Sequence, residues 1–169
     1  MSLTEWLRSR LGVVSPDERK GISLAREDAV QLPAPRDLAL LIRAFDVMSP
    51  GSILYLEGGV HPSDLREFLG AHQIANPVQV ARHTIWPRPA VNHLLLTAET
   101  IQYLARFADT VAGPELCLHL AVYRDGQVLV EAHDAPSDPV LVSRQLPEEI
   151  IDLFARRLRF SPRDVKPAR

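Results

Sequence analysis

Cysteine is nearly absent from this chain, and so is any long apolar run. The only cysteine among the 169 residues is Cys117, so no disulfide can form within the chain and nothing indicates an oxidising compartment. Nowhere do roughly 18 apolar residues follow one another without interruption, the length that a membrane-spanning helix requires. These two shortages predict a cytoplasmic protein without membrane contact.

An excess of positive charge is also missing. The formal net charge is −2, whereas a domain that binds nucleic acid over its whole surface is usually clearly basic. Of the basic side chains, only Lys20 and Lys166 are lysines. The joint bias towards Arg, Ala, Pro and Leu is typical of GC-rich coding and indicates a bacterial source.

Glycine is sparse, and the chain lacks a glycine-rich phosphate loop. The stretch "LEGGVHPSDL" places two glycines between an apolar run and a helical pattern, but it matches neither G-x-x-x-x-G-K-[ST] nor G-x-G-x-x-G. The carboxylates of Glu57 and Asp64 would moreover repel an anion. The stretch therefore predicts a turn in which Gly58 and Gly59 permit positive φ, and no nucleotide cofactor is expected.

The apolar periodicity predicts an α+β fold, with a mixed or antiparallel sheet of five to six strands and helices packed on it. From Ile53 to Tyr123 the order strand, helix, strand, strand, helix, strand is shared with the ferredoxin-like arrangement, and extra C-terminal strands and a helix follow. The predicted strands lie at 53–56, 78–86, 93–96, 116–123, 127–133 and 140–142, and the predicted helices at 3–11, 36–48, 65–69, 101–111 and 147–158.

The predicted organisation is a single domain over residues 36–160. Residues 1–35 are interpreted as an N-terminal helix and a loose connection packed on that domain. Residues 161–169 are interpreted as a basic, disordered tail.

A hairpin offers the first candidate site. Asp125-Gly126 suits a type I′ turn, and regular pairing from that turn places Glu131 and His133 on one face, with His119 on the opposite face. A carboxylate and an imidazole two residues apart could act as a general acid/base pair in a small hydrolase or transferase. The six histidines show no recognised metal-ligand spacing, so no metal is predicted.

The stretch "ARHTIWPRPAVNH", residues 81–93, offers the second candidate site. A tryptophan beside arginine on a proline-stiffened segment has the composition of an interface hot spot. The leading hypothesis is therefore a protein–protein interaction module (an accessory, regulatory or inhibitor-type subunit) that binds a protein partner or a second copy. A third hypothesis is nucleic-acid contact through the basic residues 156–169. The candidate binding residues are Arg82, His83, Trp86, Arg88 and His93.

Overall fold

The fold is an antiparallel sheet with helices on one face. The structure, a computed structural model, describes residues 11–48, 50–59 and 61–168. Within these ranges the sheet has seven strands in the order β3-β2-β4-β5-β6-β1-β7, and every neighbouring pair is antiparallel. The strands are β1 (Ala29–Leu32), β2 (Ile53–Glu57), β3 (Val91–Leu95), β4 (His119–Arg124), β5 (Gln127–Ala132), β6 (Val140–Ser143) and β7 (Lys166–Pro167).

The helices enclose the main apolar core between themselves and the sheet. In this core the rings of Phe45 and Phe154 stack with their centroids 5.9 Å apart, next to buried strand residues such as Leu54. The described helices are α1 (Leu38–Ala44), α2 (Ser63–His72), α3 (Ala98–Ala108), α4 (Gly113–Leu116) and α5 (Glu148–Arg157). Short 3-10 turns lie at Arg26–Asp28, Phe45–Met48 and Pro162–Asp164.

Capping and charge account for where the longer helices begin. The side chain of Asp37 accepts a hydrogen bond from the Leu40 N–H at the start of α1, and Thr97 accepts one from Thr100 in α3. Helix α5 begins with Glu148 and Glu149 and ends with arginines, which complements its dipole at both ends. These caps satisfy N–H groups that have no partner within the helix.

The second face of the sheet is covered by extended chain and not by helices. We call residues 13–24 the first cover segment and residues 78–90 the second cover segment. The two pair over a short stretch, where the Ile22 N–H donates to the Gln79 carbonyl at 2.9 Å and the Ala81 N–H to Ile22 at 3.0 Å. A smaller apolar cluster, centred on Tyr55 and Tyr123, lies beneath them. This face therefore has the thinner cover.

Two element predictions were wrong. Residues 78–86 form no sheet strand and make one isolated bridge, Ile22–Val80, because they lie across the face of the sheet instead of along its edge. The ferredoxin-like order is therefore not formed. In the supposed loose connection, Ala29–Leu32 is a strand that pairs with β6 and β7. The predicted α+β class with helices packed on an antiparallel sheet is confirmed.

The structure describes the C-terminal tail up to residue 168 but little of the predicted N-terminal helix. The predicted N-terminal helix falls largely on residues 1–10, which lie outside the described ranges. In the tail, Ser161 and Asp164 form a capping box, and Lys166–Pro167 pairs with Val30 and Gln31 of β1. The described part of the tail is thus joined to the sheet.

Candidate functional site: the second cover segment and the strands beneath it

A β-bulge decides which side chains meet on the covered face. Arg124 pairs with Gln127, as predicted, but Leu129 is an extra residue in β5, so that Val122 pairs with Val130 and Ala121 with Glu131. The predicted register beyond this point was therefore wrong by one residue. Glu131 lies on the same face as His119, whereas regular pairing places His119 on the opposite face.

Glu131 is the buried centre of a cluster of imidazoles. Its side chain is 3% exposed, and the Leu24 N–H of the first cover segment donates to its Oε2 at 2.8 Å. Its Oε1 lies 2.8 Å from His83 Nε2 and 3.6 Å from His133 Nε2. The ring centroids of His83 and His133 are 4.1 Å apart, and His119 is 5.4 Å and 5.5 Å from them.

The members of this cluster have shifted pKa values. Burial acts to raise the pKa of Glu131, but hydrogen bonds from His83 and Leu24 outweigh it and lower that pKa below its ordinary value. The hydrogen bond to Glu131 raises the pKa of His83, while burial lowers the pKa of His119 and of His133. His83 is consequently the imidazole that shares its proton with the carboxylate.

A second buried carboxylate fixes the backbone of the second cover segment. Glu57, at the end of β2, is fully buried and accepts a hydrogen bond from the Tyr55 hydroxyl at 2.6 Å. It also accepts from the backbone N–H groups of Thr84 at 2.6 Å and His83 at 3.1 Å. Glu57 thereby holds the segment in place, a role that its position before two glycines does not reveal. Gly58 and Gly59 both have a φ of 92°, as the turn prediction requires.

The outer side of the segment carries exposed apolar side chains next to an ion-pair network. Ile85 and Trp86 are 52% and 67% exposed. Glu18 of the first cover segment binds both Arg82, at 2.9 Å, and Arg88. The hydrogen bond from Arg88 lowers the pKa of Glu18 to about 2.

The structure therefore divides the predicted binding residues into three groups. Trp86 and Arg88 lie on the outer side, where a partner could reach them, and Arg82 is in the same group because it shares the Glu18 carboxylate with Arg88. His83 instead faces Glu131. His93 is 5% exposed and lies against the Tyr123 hydroxyl, 3.0 Å from its Nδ1, so it does not share that outer surface.

Sequence reasoning missed the participation of Glu57, Glu18 and His119 in this region. Their partners are distant in sequence; Arg82, for example, is 64 residues from Glu18. No spacing signal could have grouped them. Among the described residues, His83, Glu131 and His133 offer ligand atoms that lie within 4.8 Å of one another and could hold a metal ion.

Comparison of the chain with protein-family models, with curated proteins and with solved structures finds no match. In the part of the chain that the structure describes, no helix has the length and apolar character needed to cross a bilayer.

Proposed function

We propose that the protein is a protein–protein interaction module, an accessory, regulatory or inhibitor-type subunit of the bacterial cytoplasm. Its contact surface in this proposal is the outer side of the second cover segment. One observation supports it above the others: Ile85 and Trp86 are adjacent, large, apolar and mostly exposed. Adjacent exposed apolar side chains of this size on a folded surface are typical of a binding site.

The backbone that presents these two side chains is already fixed. The Ile85 carbonyl accepts a hydrogen bond from the Val14 N–H at 3.0 Å, and the Trp86 indole donates to the Leu11 carbonyl at 3.0 Å. Glu57 holds the two preceding residues. A preorganised segment loses little conformational freedom on binding, so more of its contact energy contributes to affinity.

The charges around the apolar pair indicate the chemistry of the partner. Arg82 and Arg88 share the single carboxylate of Glu18, which leaves a net positive charge at this edge. A complementary protein surface has an apolar pocket for Trp86 and acidic side chains on its rim. A second copy of this chain is the other occupant that the test must distinguish.

The test compares tagless wild-type protein with folded Trp86→Ala and Arg88→Ala variants. Partners are captured from a bacterial lysate, identified by mass spectrometry, purified and titrated against each variant by calorimetry. Trp86→Ala should weaken binding by about 30-fold, because truncation of a hot-spot residue costs about 2 kcal/mol. Leu153→Ala, which alters an exposed leucine on α5, is the matched control and should leave the affinity unchanged.

Circular dichroism and sedimentation velocity accompany this titration. They establish that each variant is folded and whether the wild-type chain associates with itself. Equal affinities of wild type and Trp86→Ala for the purified partner would show that the outer side of the second cover segment is not the contact surface. Self-association abolished by Trp86→Ala would identify the occupant as a second copy.

A further inference from the structure

We infer that His83, Glu131 and His133 form a binding site for one divalent transition-metal ion of the zinc class. The three ligand atoms are His83 Nε2, Glu131 Oε1 and His133 Nε2, which lie within 4.8 Å of one another. Two imidazoles and one carboxylate are a donor set that suits Zn²⁺ and its neighbours among the first-row metals. This inference does not rest on the proposed protein contact.

The distances are close to those of a coordination shell. Two ligand atoms at about 2.1 Å from a tetrahedral Zn²⁺ are about 3.4 Å apart. The observed separations from Glu131 Oε1 are 2.8 Å to His83 and 3.6 Å to His133. Both histidine side chains are partly exposed while the carboxylate is buried, so small rotations of the two rings can close the shell around a fixed oxygen.

The surroundings of Glu131 orient it for this role. The Leu24 N–H donates to Oε2, which holds the carboxylate plane and leaves Oε1 to face the imidazoles. Hydrogen bonds of this kind to the non-ligating atom are a regular part of metal sites, because they fix the ligand before the ion arrives.

Charge neutralisation alone does not account for the cluster. One protonated imidazole is enough to neutralise Glu131, and His83 at 2.8 Å supplies it. His133 nevertheless lies 3.6 Å from the same carboxylate oxygen, and the His119 ring lies 5.5 Å from the His133 ring. The Nδ1 of His119 accepts the Asp134 N–H at 3.3 Å, so this ring is held beside the other two imidazoles.

A bound ion would join parts of the molecule that are separate in sequence. His83 belongs to the second cover segment, Glu131 to β5, and His133 to the residues that follow β5. The metal would thus fasten the cover segment to the sheet by coordination bonds. Its loss would loosen the segment that carries Ile85 and Trp86.

The experiment is calorimetric titration of tagless, chelator-treated full-length protein with Zn²⁺, together with the visible absorption spectrum of the Co²⁺ form. We expect one ion per chain with a Kd below about 1 µM. His133→Gln and His83→Gln should each weaken Zn²⁺ binding at least about 100-fold, more than the loss of an outer-shell partner. Mg²⁺, which prefers oxygen ligands, should not compete.

His72→Gln is the matched control. His72 also faces a carboxylate, with its Nε2 3.7 Å from Glu99, but among the described residues no third ligand joins this pair. Its replacement should leave the Zn²⁺ affinity unchanged. A Glu131→Gln variant changes a buried residue and could fail to fold. The side chains of His83 and His133 are partly exposed, so the two histidine variants should fold and are sufficient for the test.

Three results would overturn the inference: no Zn²⁺ binding tighter than about 100 µM, equal binding by wild type and His133→Gln, or equal weakening by His72→Gln. Each can occur while Trp86→Ala still weakens partner binding, so failure of the metal site and failure of the protein contact are distinguishable.

Discussion

His93 is a buried ionisable side chain on the covered face of the sheet. The ring packs edge-on against Tyr55 and bonds to the Tyr123 hydroxyl. Burial, and to a smaller extent the charge of Arg82, lowers its pKa from 6.5 to about 4. In the folded protein His93 is therefore neutral at any pH well above 4.

The sign of the resulting pH dependence follows from proton binding. A histidine whose pKa is lower in the folded state binds protons first in the unfolded state, so the free energy of unfolding decreases as pH falls from 6.5 towards 4. We expect His93 to contribute about 2 kcal/mol to this decrease between about pH 7 and pH 4.5. Urea unfolding of wild type and His93→Gln at both pH values measures it, and an equal loss in the two proteins would contradict it.

At the scale of elements, the two cover segments depend on one glycine. A Cβ at Gly21 would lie 2.5 Å from the Gln79 carbonyl oxygen and 2.6 Å from the Ala81 nitrogen. A Cβ atom at these distances would clash with backbone atoms, which cannot move aside without separating the two segments. The close pairing of the segments therefore requires glycine at position 21. Gly70 in α2 is the opposite case, because a Cβ there would meet no atom within 4 Å.

This contrast predicts opposite effects of the same substitution. Gly21→Ala should lower the free energy of unfolding by at least about 2 kcal/mol, or open the cover locally. Gly70→Ala should raise it by about 0.5–1 kcal/mol, because alanine is favoured in a helix interior. Chemical unfolding measures both, and hydrogen exchange at the Ile22 and Ala81 amides reports local opening. Equal stabilities of wild type and Gly21→Ala, with unchanged exchange, would disprove the close approach.

Local sequence signals predicted most individual elements but not the way in which they meet. The apolar spacing from Ile101 to Val111 predicts α3, and Asp125-Gly126 predicts the hairpin turn. The bulge at Leu129 is invisible because "VLVEA" reads as ordinary strand, yet it decides that Glu131 faces His119. The approach of His83 depends on the whole sheet, which no window of neighbouring residues contains.

At the scale of the whole molecule, strand β1 lies between elements from the far end of the chain. It pairs with β6 on one side and with β7 on the other. On the β7 side the Ala168 N–H also donates to the Ala29 carbonyl at 3.2 Å. The C-terminal residues therefore complete the sheet by covering an edge that would otherwise be open.

Removal of residues 161–169 should destabilise the protein without abolishing the fold. We expect a loss of about 1–3 kcal/mol, because a few edge hydrogen bonds disappear while the main core remains. Thermal and urea unfolding measure this loss. An Arg163→Ala/Lys166→Ala chain keeps the backbone pairing and serves as the control for charge. If the control loses as much stability as the truncated chain, charge and not strand pairing accounts for the effect.

The position of β1 also bears on how the protein forms during synthesis. Ala29 pairs with Ser143, and Val30 pairs with Pro167, so this edge of the sheet cannot close until the chain as far as Pro167 has left the ribosome. Contacts between such distant residues slow folding, because a long loop must be ordered before they form. We expect the β1 edge to be assembled late in folding, with the helix-covered strands β2 to β5 already in place as its template.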